Sequence, residues 1–229
     1  MLNFCLHSVF REYGLKFLRR IAAPHPVRTA KAFLQAGKID VSGNMICLPG
    51  PCLSDEHWIV GVGFCLKPMD PLCPAGRANH DCHLFEHPAL SDSPTCRNCL
   101  IRELGMLTLK TGSAFYVMTS ARDVLLDVFE PSLREGLFTS GLFVLCRYSV
   151  QPFAVGMLAS RIQGYIFQFN RGDCRDYKTW LLADRGIKNE QTEIIDSTRA
   201  TIGEILKNAS KRSIPAVRFK KRGNIFFAK

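Results

Sequence analysis

Cys96 and Cys99 bracket Arg97-Asn98 directly ahead of the run Leu100-Ile-Arg-Glu-Leu104, which has the spacing of a helix. A Cys-x-x-Cys pair at a helix mouth can aim both sulfurs at one ion, and the helix N-terminus favours their thiolates. Cys146 and Cys174 each follow an apolar stretch that reads as a strand, Leu142 to Leu145 and Tyr165 to Phe169. If those strands belong to a parallel sheet, both cysteines fall at its carboxyl edge, where such sheets bind ligands. Cys96, Cys99, Cys146 and Cys174 would then supply the four thiolates of a [4Fe–4S] cluster, and a tetrahedral zinc ion would accept the same four. The alternative is a set of buried, inert thiols, since free cysteine is among the most buried residue types.

A second group lies just upstream: Cys65, Cys73 and Cys82, with His80 and His83 in Asn-His-Asp-Cys-His. Its spacing matches no zinc finger, but it occupies a stretch rich in Pro, Cys, His, Asp and Asn, from Cys65 to Pro94. A loop of about thirty residues in a compact domain calls for a function or a staple, and a metal would be the staple. This loop either covers the first site or holds a second metal through Cys65, Cys73, Cys82 and His80. Cys47 and Cys52 could join either group, whereas Cys5 reads as core. Arg97, Arg147 and the N-cap candidate Ser120 are placed to meet a cofactor or an anionic ligand. Phosphate loops, Gly-x-Gly-x-x-Gly, Gly-x-Ser-x-Gly, His-Glu-x-x-His and the radical-SAM cysteine triplet are all missing, so those chemistries are not expected.

The positioning elements alternate. Helices are expected over Leu100 to Lys110, Ala121 to Phe129 with an extension to Gly136, Pro152 to Arg161 and Tyr177 to Ala183. Between them lie strands at Ala114 to Met118, Leu142 to Leu145 and Tyr165 to Phe169. Asn44 to Cys47 reads as a short strand. Ile59 to Phe64, punctuated by glycines, reads as a strand or as a loop passing close to a ligand. The expected fold is α/β, with a mostly parallel sheet in a three-layer sandwich. An N-terminal helical arm (1–40) precedes the cysteine-rich domain (41–189), and a C-terminal helix with a basic hairpin follows (190–229).

Residues 3–21 form a basic amphipathic helix, to be packed on the domain or laid on a membrane surface. The chain has 229 residues, ten of them cysteine, and a formal net charge of +10. That charge invites an acidic partner such as nucleic acid or an anionic ligand. The opening residues lack a secretory signal and no apolar run reaches the ~20 residues of a membrane span. A cytoplasmic, reducing location follows, which favours metal ligation over disulfides.

Four motifs in order, Cys96-Arg-Asn-Cys99-Leu-Ile-Arg-Glu-Leu, Tyr116-Val-Met-Thr-Ser120, Val144-Leu-Cys146 and Gly172-Asp-Cys174, resemble a prokaryotic cysteine-rich family. It is the one catalogued as domain of unknown function one-sixteen. The likeness spans Met45 to Ala183, with Met-Thr-Ser where the family has Gly-Gly-Ser. It implies an iron–sulfur site on Cys96, Cys99, Cys146 and Cys174. The leading expectation is therefore a metal-binding, iron–sulfur redox or accessory protein with a redox partner protein. The rivals are a zinc-stabilised nucleic-acid-binding protein with a basic aromatic tail, and an enzyme with a cysteine nucleophile.

Overall fold

The computed structural model describes residues 9–49, 58–86, 93–185, 187–188, 190–210, 216 and 218–229. Its centre is a seven-stranded mixed sheet in the order β1-β5-β4-β2-β3-β7-β6. The strands are β1 (Met45–Leu48), β2 (Trp58–Gly63), β3 (Ala114–Met118), β4 (Ser140–Leu145), β5 (Gln163–Gln168), β6 (Phe219–Arg222) and β7 (Ile225–Ala228). The inner four, β5-β4-β2-β3, run parallel, while β1 pairs antiparallel with β5 and β7 antiparallel with β3. β2, the stretch whose sequence left strand and loop open, is a central strand bonded on both sides.

Strand residues alternate between two cores, as a sheet covered on both faces requires. On one face Ile59, Tyr116, Phe143, Leu145 and Ile166 meet α1 (Phe10–Phe17), α2 (Pro26–Ala36), α6 (Ala121–Val124, Leu125–Phe129 and Glu130–Glu135 in succession) and α7 (Val150–Ala159). On the other, Val60, Val62, Phe115, Val117 and Val144 meet α5 (Leu100–Lys110) and α9 (Asp196–Ser210). The middle of α6 widens into a π-turn over Leu125–Phe129. Pro131 follows, with no N–H for the ladder and a ring that clashes with the carbonyl one turn back, which accounts for the widening.

The terminal segments belong to these cores. Val9, Tyr13, Phe17 and Ile21 recur every four residues and are all buried. The Tyr13 hydroxyl donates to the carbonyl of Pro152 at 3.2 Å, and Arg20 pairs with Glu130. The apolar face of this helix therefore packs on the domain, which leaves it unavailable for a membrane surface; residues 3–8 lie outside the described residues. At the other end the hairpin turns at Gly223-Asn224 and extends the sheet, burying Phe219 and Phe226. Lys221 of the hairpin meets Asp81 and Glu86. Those two aromatic rings, which a nucleic-acid tail would stack on bases, are core residues instead. No helix among the described residues is long and apolar enough to cross a membrane.

Candidate functional site

The connection after β2 leads to α5 on one face, whereas those after β3 and β4 lead to α6 and α7 on the other. Opposite exits from neighbouring strands open a crevice at the carboxyl edge, the usual ligand position in open α/β sheets. A cavity of about 270 Å³ lies there. Its floor comes from Gly63, Phe64 and Cys65 after β2, Met118 to Ser120 after β3, and Leu145 and Cys146 after β4. The Arg11 guanidinium of α1 sits 5.0 Å over the ring of Tyr177, which stacks on Trp180, both in α8 (Tyr177–Asp184). These aromatic residues complete the wall.

Three thiols meet at this edge. Cys65, Cys146 and Cys174 are 3%, 6% and 1% exposed, and their side chains hydrogen-bond to one another. Hydrogen bonds from Cys146 and then from Cys174 hold the Cys65 thiol far below its ordinary value. Cys146 moves the opposite way, through its bonds to Cys174 and Cys65 and through burial. A thiolate at one of the three would be stabilised by S–H donation from its neighbours. Lys188 and Arg77 lie close enough to favour that charge.

Four more thiols gather at the far end of the loop. Cys73, Cys82, Cys96 and Cys99 line one small cavity of about 20 Å³, together with Lys67, Asp81, His83 and Arg102. Cys82 precedes α3 (His83–Glu86) and Cys99 is the N-cap of α5, so each sulfur receives peptide N–H bonds, from Leu84 and Phe85 and from Arg102 and Ile101 respectively. Such bonds stabilise a thiolate. Burial nonetheless dominates in both, pushing Cys82 up to about 12 and raising Cys99. Beside them is Lys67, only 1% exposed, whose ammonium donates to the carbonyl of Asn79 at 3.0 Å and to its side-chain oxygen. Burial lowers the Lys67 pKa, and Cys73, Cys82, Asp81 and Cys99 oppose that shift.

The expected foursome is therefore divided. Cys96 and Cys99 join Cys73 and Cys82, whereas Cys146 and Cys174 join Cys65. As they stand, no group of three or more His, Cys, Asp or Glu side chains among the described residues has the arrangement to hold a metal ion. His80 is in neither group: its Nδ1 lies 2.8 Å from the carbonyl of Val117, its Nε2 lies 3.2 Å from the Thr119 hydroxyl, and its ring stacks on Tyr116. Both ring nitrogens are engaged, so His80 is a packing residue at the end of β3. Ser120 caps α6, accepting from the Asp123 N–H at 3.2 Å and donating to its carboxylate at 2.7 Å. Arg97 and Arg147 are exposed; Arg97 ends the single turn α4 (Pro94–Arg97) beside the four-thiol group, and Arg147 follows Cys146. Cys52 lies outside the described residues, as does Cys5. Sequence reasoning missed the place of Cys65 with Cys146 and Cys174, although reading Ile59 to Phe64 as a strand would have made it a third strand-end cysteine.

Glu12 of α1 also lines the cavity, and burial pushes its carboxyl up to about 8, with Arg11 opposing in part. In the unfolded chain this group loses its proton near 4.5. Between those values the unfolded chain binds fewer protons than the folded one, so stability falls as pH rises through the window. Glu12→Gln is expected to remove that slope. It should leave stability unchanged below the unfolded value and raise it by ~1–3 kcal/mol above pH ~8, discounted because the cavity is open to solvent. Urea midpoints at the two pH extremes check this.

Comparison with known protein families, with curated proteins and with solved structures finds no match. The likeness to the cysteine-rich family thus stands on its motifs alone.

Proposed function

We propose that this is a metal-binding protein in which Cys73, Cys82, Cys96 and Cys99 hold a [4Fe–4S] cluster as a redox or accessory centre. The observation that supports it most is the convergence of these four half-buried thiols on one small cavity beside the ammonium of Lys67. The donor set fits in kind and number, since four cysteines are the usual ligands of such a cluster. When bound, the cluster would supply one-electron transfer. The chain's own part is electrostatic: Lys67 offsets thiolate charge, and the peptide N–H groups at Cys82 and Cys99 tune the sulfurs. Such thiols suit a reducing compartment, the cytoplasm, and a partner protein that exchanges electrons. Zinc is the second reading, favoured by the cavity size: about 20 Å³ is close to the room for one water-sized sphere.

Anaerobic purification followed by iron, sulfide and zinc analysis tests both. A brown protein with iron and sulfide in equal amounts, diminished by Cys82→Ala or Cys99→Ala, is the expected result. A colourless protein with stoichiometric zinc would replace iron by zinc, and a metal-free protein would end the reading altogether.

A further inference from the structure

The three thiols at the carboxyl edge are all free, and they are in hydrogen-bond contact with one another. Two of them face the larger cavity: Cys65 and Cys146 contribute to its wall, whereas Cys174 does not. Their backbones are also close. β2 and β4 are parallel neighbours paired through Val62 and Val144, and the chain reaches Cys65 and Cys146 within a few residues of that pair. Adjacent strands stand about 4.8 Å apart, inside the Cα separation of ~4.4–6.8 Å that a disulfide accepts. Cys174 follows β5, which β4 separates from β2. Cys65 and Cys146 are thus the pair that can join with least movement of the chain. S–H donation from its neighbours, and then the charges of Lys188 and Arg77, favour the thiolate of Cys65.

We propose that Cys65 and Cys146 act as a dithiol that reduces a compact, mostly apolar disulfide bound in the cavity, and end as a disulfide with each other. This goes beyond the four-thiol centre and does not depend on it. A lone nucleophile would stop at the mixed disulfide; a second thiol in contact carries the exchange to completion. The Cys65 thiolate attacks one substrate sulfur: that bond forms, the substrate S–S bond breaks, and its electron pair leaves on the other sulfur. Cys146 then attacks the Cys65 sulfur as its proton passes to solvent, and the second substrate sulfur departs. Both released thiolates take up protons from water, so two electrons have moved from the protein pair to the substrate. A small dithiol, the natural reductant of a reducing compartment, restores the pair by the same exchange in reverse. The cavity selects the substrate. Phe64, Met118, Leu145, Phe153 and Phe169 make its wall largely apolar, and about 270 Å³ is small for a ligand pocket. A departing sulfur suits such a wall because it is a weak hydrogen-bond acceptor, whereas the oxygen of a peroxide would call for donors.

The test uses the full chain, purified anaerobically and mixed with an equimolar amount of dithiodipyridine, a neutral aromatic disulfide whose released thiopyridone is counted by absorbance. The wild-type protein should release both halves of the probe in its fast phase, and peptide mapping should then find Cys65 joined to Cys146. Cys146→Ser should release one half and keep the other on Cys65, and Cys65→Ser should lose the fast phase. Oxidised glutathione, which is polar and charged, and hydrogen peroxide should form the bond more slowly, each rate being taken relative to that with free cysteine. A first reaction that joins Cys65 to Cys174, or that joins thiols of the four-cysteine group, would overturn the pair. Glutathione disulfide or peroxide reacting as fast as the aromatic probe on that scale would overturn the substrate class. The mapping needs only the wild-type protein, so it decides even if Cys65→Ser fails to fold.

Discussion

Gly164→Ala is expected to destabilise the protein by more than ~4 kcal/mol, a large share of the ~5–15 kcal/mol that keeps a domain folded. Gly164 lies in β5 at φ +123°, a conformation that other residues rarely adopt. A Cβ there would stand 2.0 Å from the carbonyl oxygen of Gly141, its partner in the parallel ladder between β4 and β5. Both sides of that contact are backbone in the centre of the sheet, so no side chain can turn away to relieve it. The damage would reach the carboxyl edge, because β4 and β5 carry the chain to Cys146 and Cys174. Gly203→Ala serves as the control. Gly203 lies in α9 with nothing within 4 Å of its Cβ position, and alanine there should stabilise by about 0.5–1 kcal/mol. Thermal and urea unfolding of the two variants should move in opposite directions. Equal, small effects would show that the β4–β5 pairing is looser than described.

Much of this sheet was legible because its strands are apolar runs between helices with the spacing 3.6 demands. Ala114 to Met118 reads as a strand from its aromatic and β-branched residues alone, and has those bounds in the structure. β2 was ambiguous for a physical reason. Its two glycines suggested a ligand passing close, but a Cβ on Gly61 would meet the Phe143 ring at 2.5 Å and one on Gly63 the Phe169 ring at 2.9 Å. The visitors are aromatic rings of neighbouring segments, which only the sheet order reveals. The antiparallel edges were equally hidden: the hairpin was readable from its turn, but its docking on β3 joins residues about a hundred positions apart.

The candidate site was legible in its residue types and not in its partition. Cys96 and Cys99 were placed at a helix mouth, which holds for Cys99, the N-cap of α5. Their companions were sought at the strand ends, yet closing a loop to Cys73 and Cys82 spans far fewer residues than reaching Cys146 or Cys174, and shorter closures are entropically easier. Cys65 joins Cys146 and Cys174 against that logic, because β2 and β4 are parallel neighbours and end side by side. His80 misled because ligand-type residues in an irregular loop look alike in sequence. Its engagement by Val117 and Thr119 depends on where β3 ends.

Lys67→Met is expected to act with opposite signs in the two states of the protein, and this is the sharpest probe of the charge on the four thiols. With the thiols protonated, the ammonium is buried with Asn79 as its hydrogen-bond partner. Replacing such a buried charge by an apolar side chain of similar length should be neutral or stabilise the metal-free protein by ~1–4 kcal/mol. With metal bound, the sulfurs are thiolates, and Coulomb attraction at short range in a poorly screened interior is strong. Removing the ammonium then leaves negative charge uncompensated, and metal affinity should fall by about 10–100-fold, as for other residues that support metal ligands from behind. Lys67→Arg keeps the charge and should retain most of the affinity if the longer fork still reaches Asn79. The measurements are unfolding of the metal-free protein and competition for metal against a chelator, made on the same three proteins. A methionine variant that binds metal as tightly as wild type would mean that Lys67 supports the loop through Asn79 alone, and that charge compensation has no part in the site.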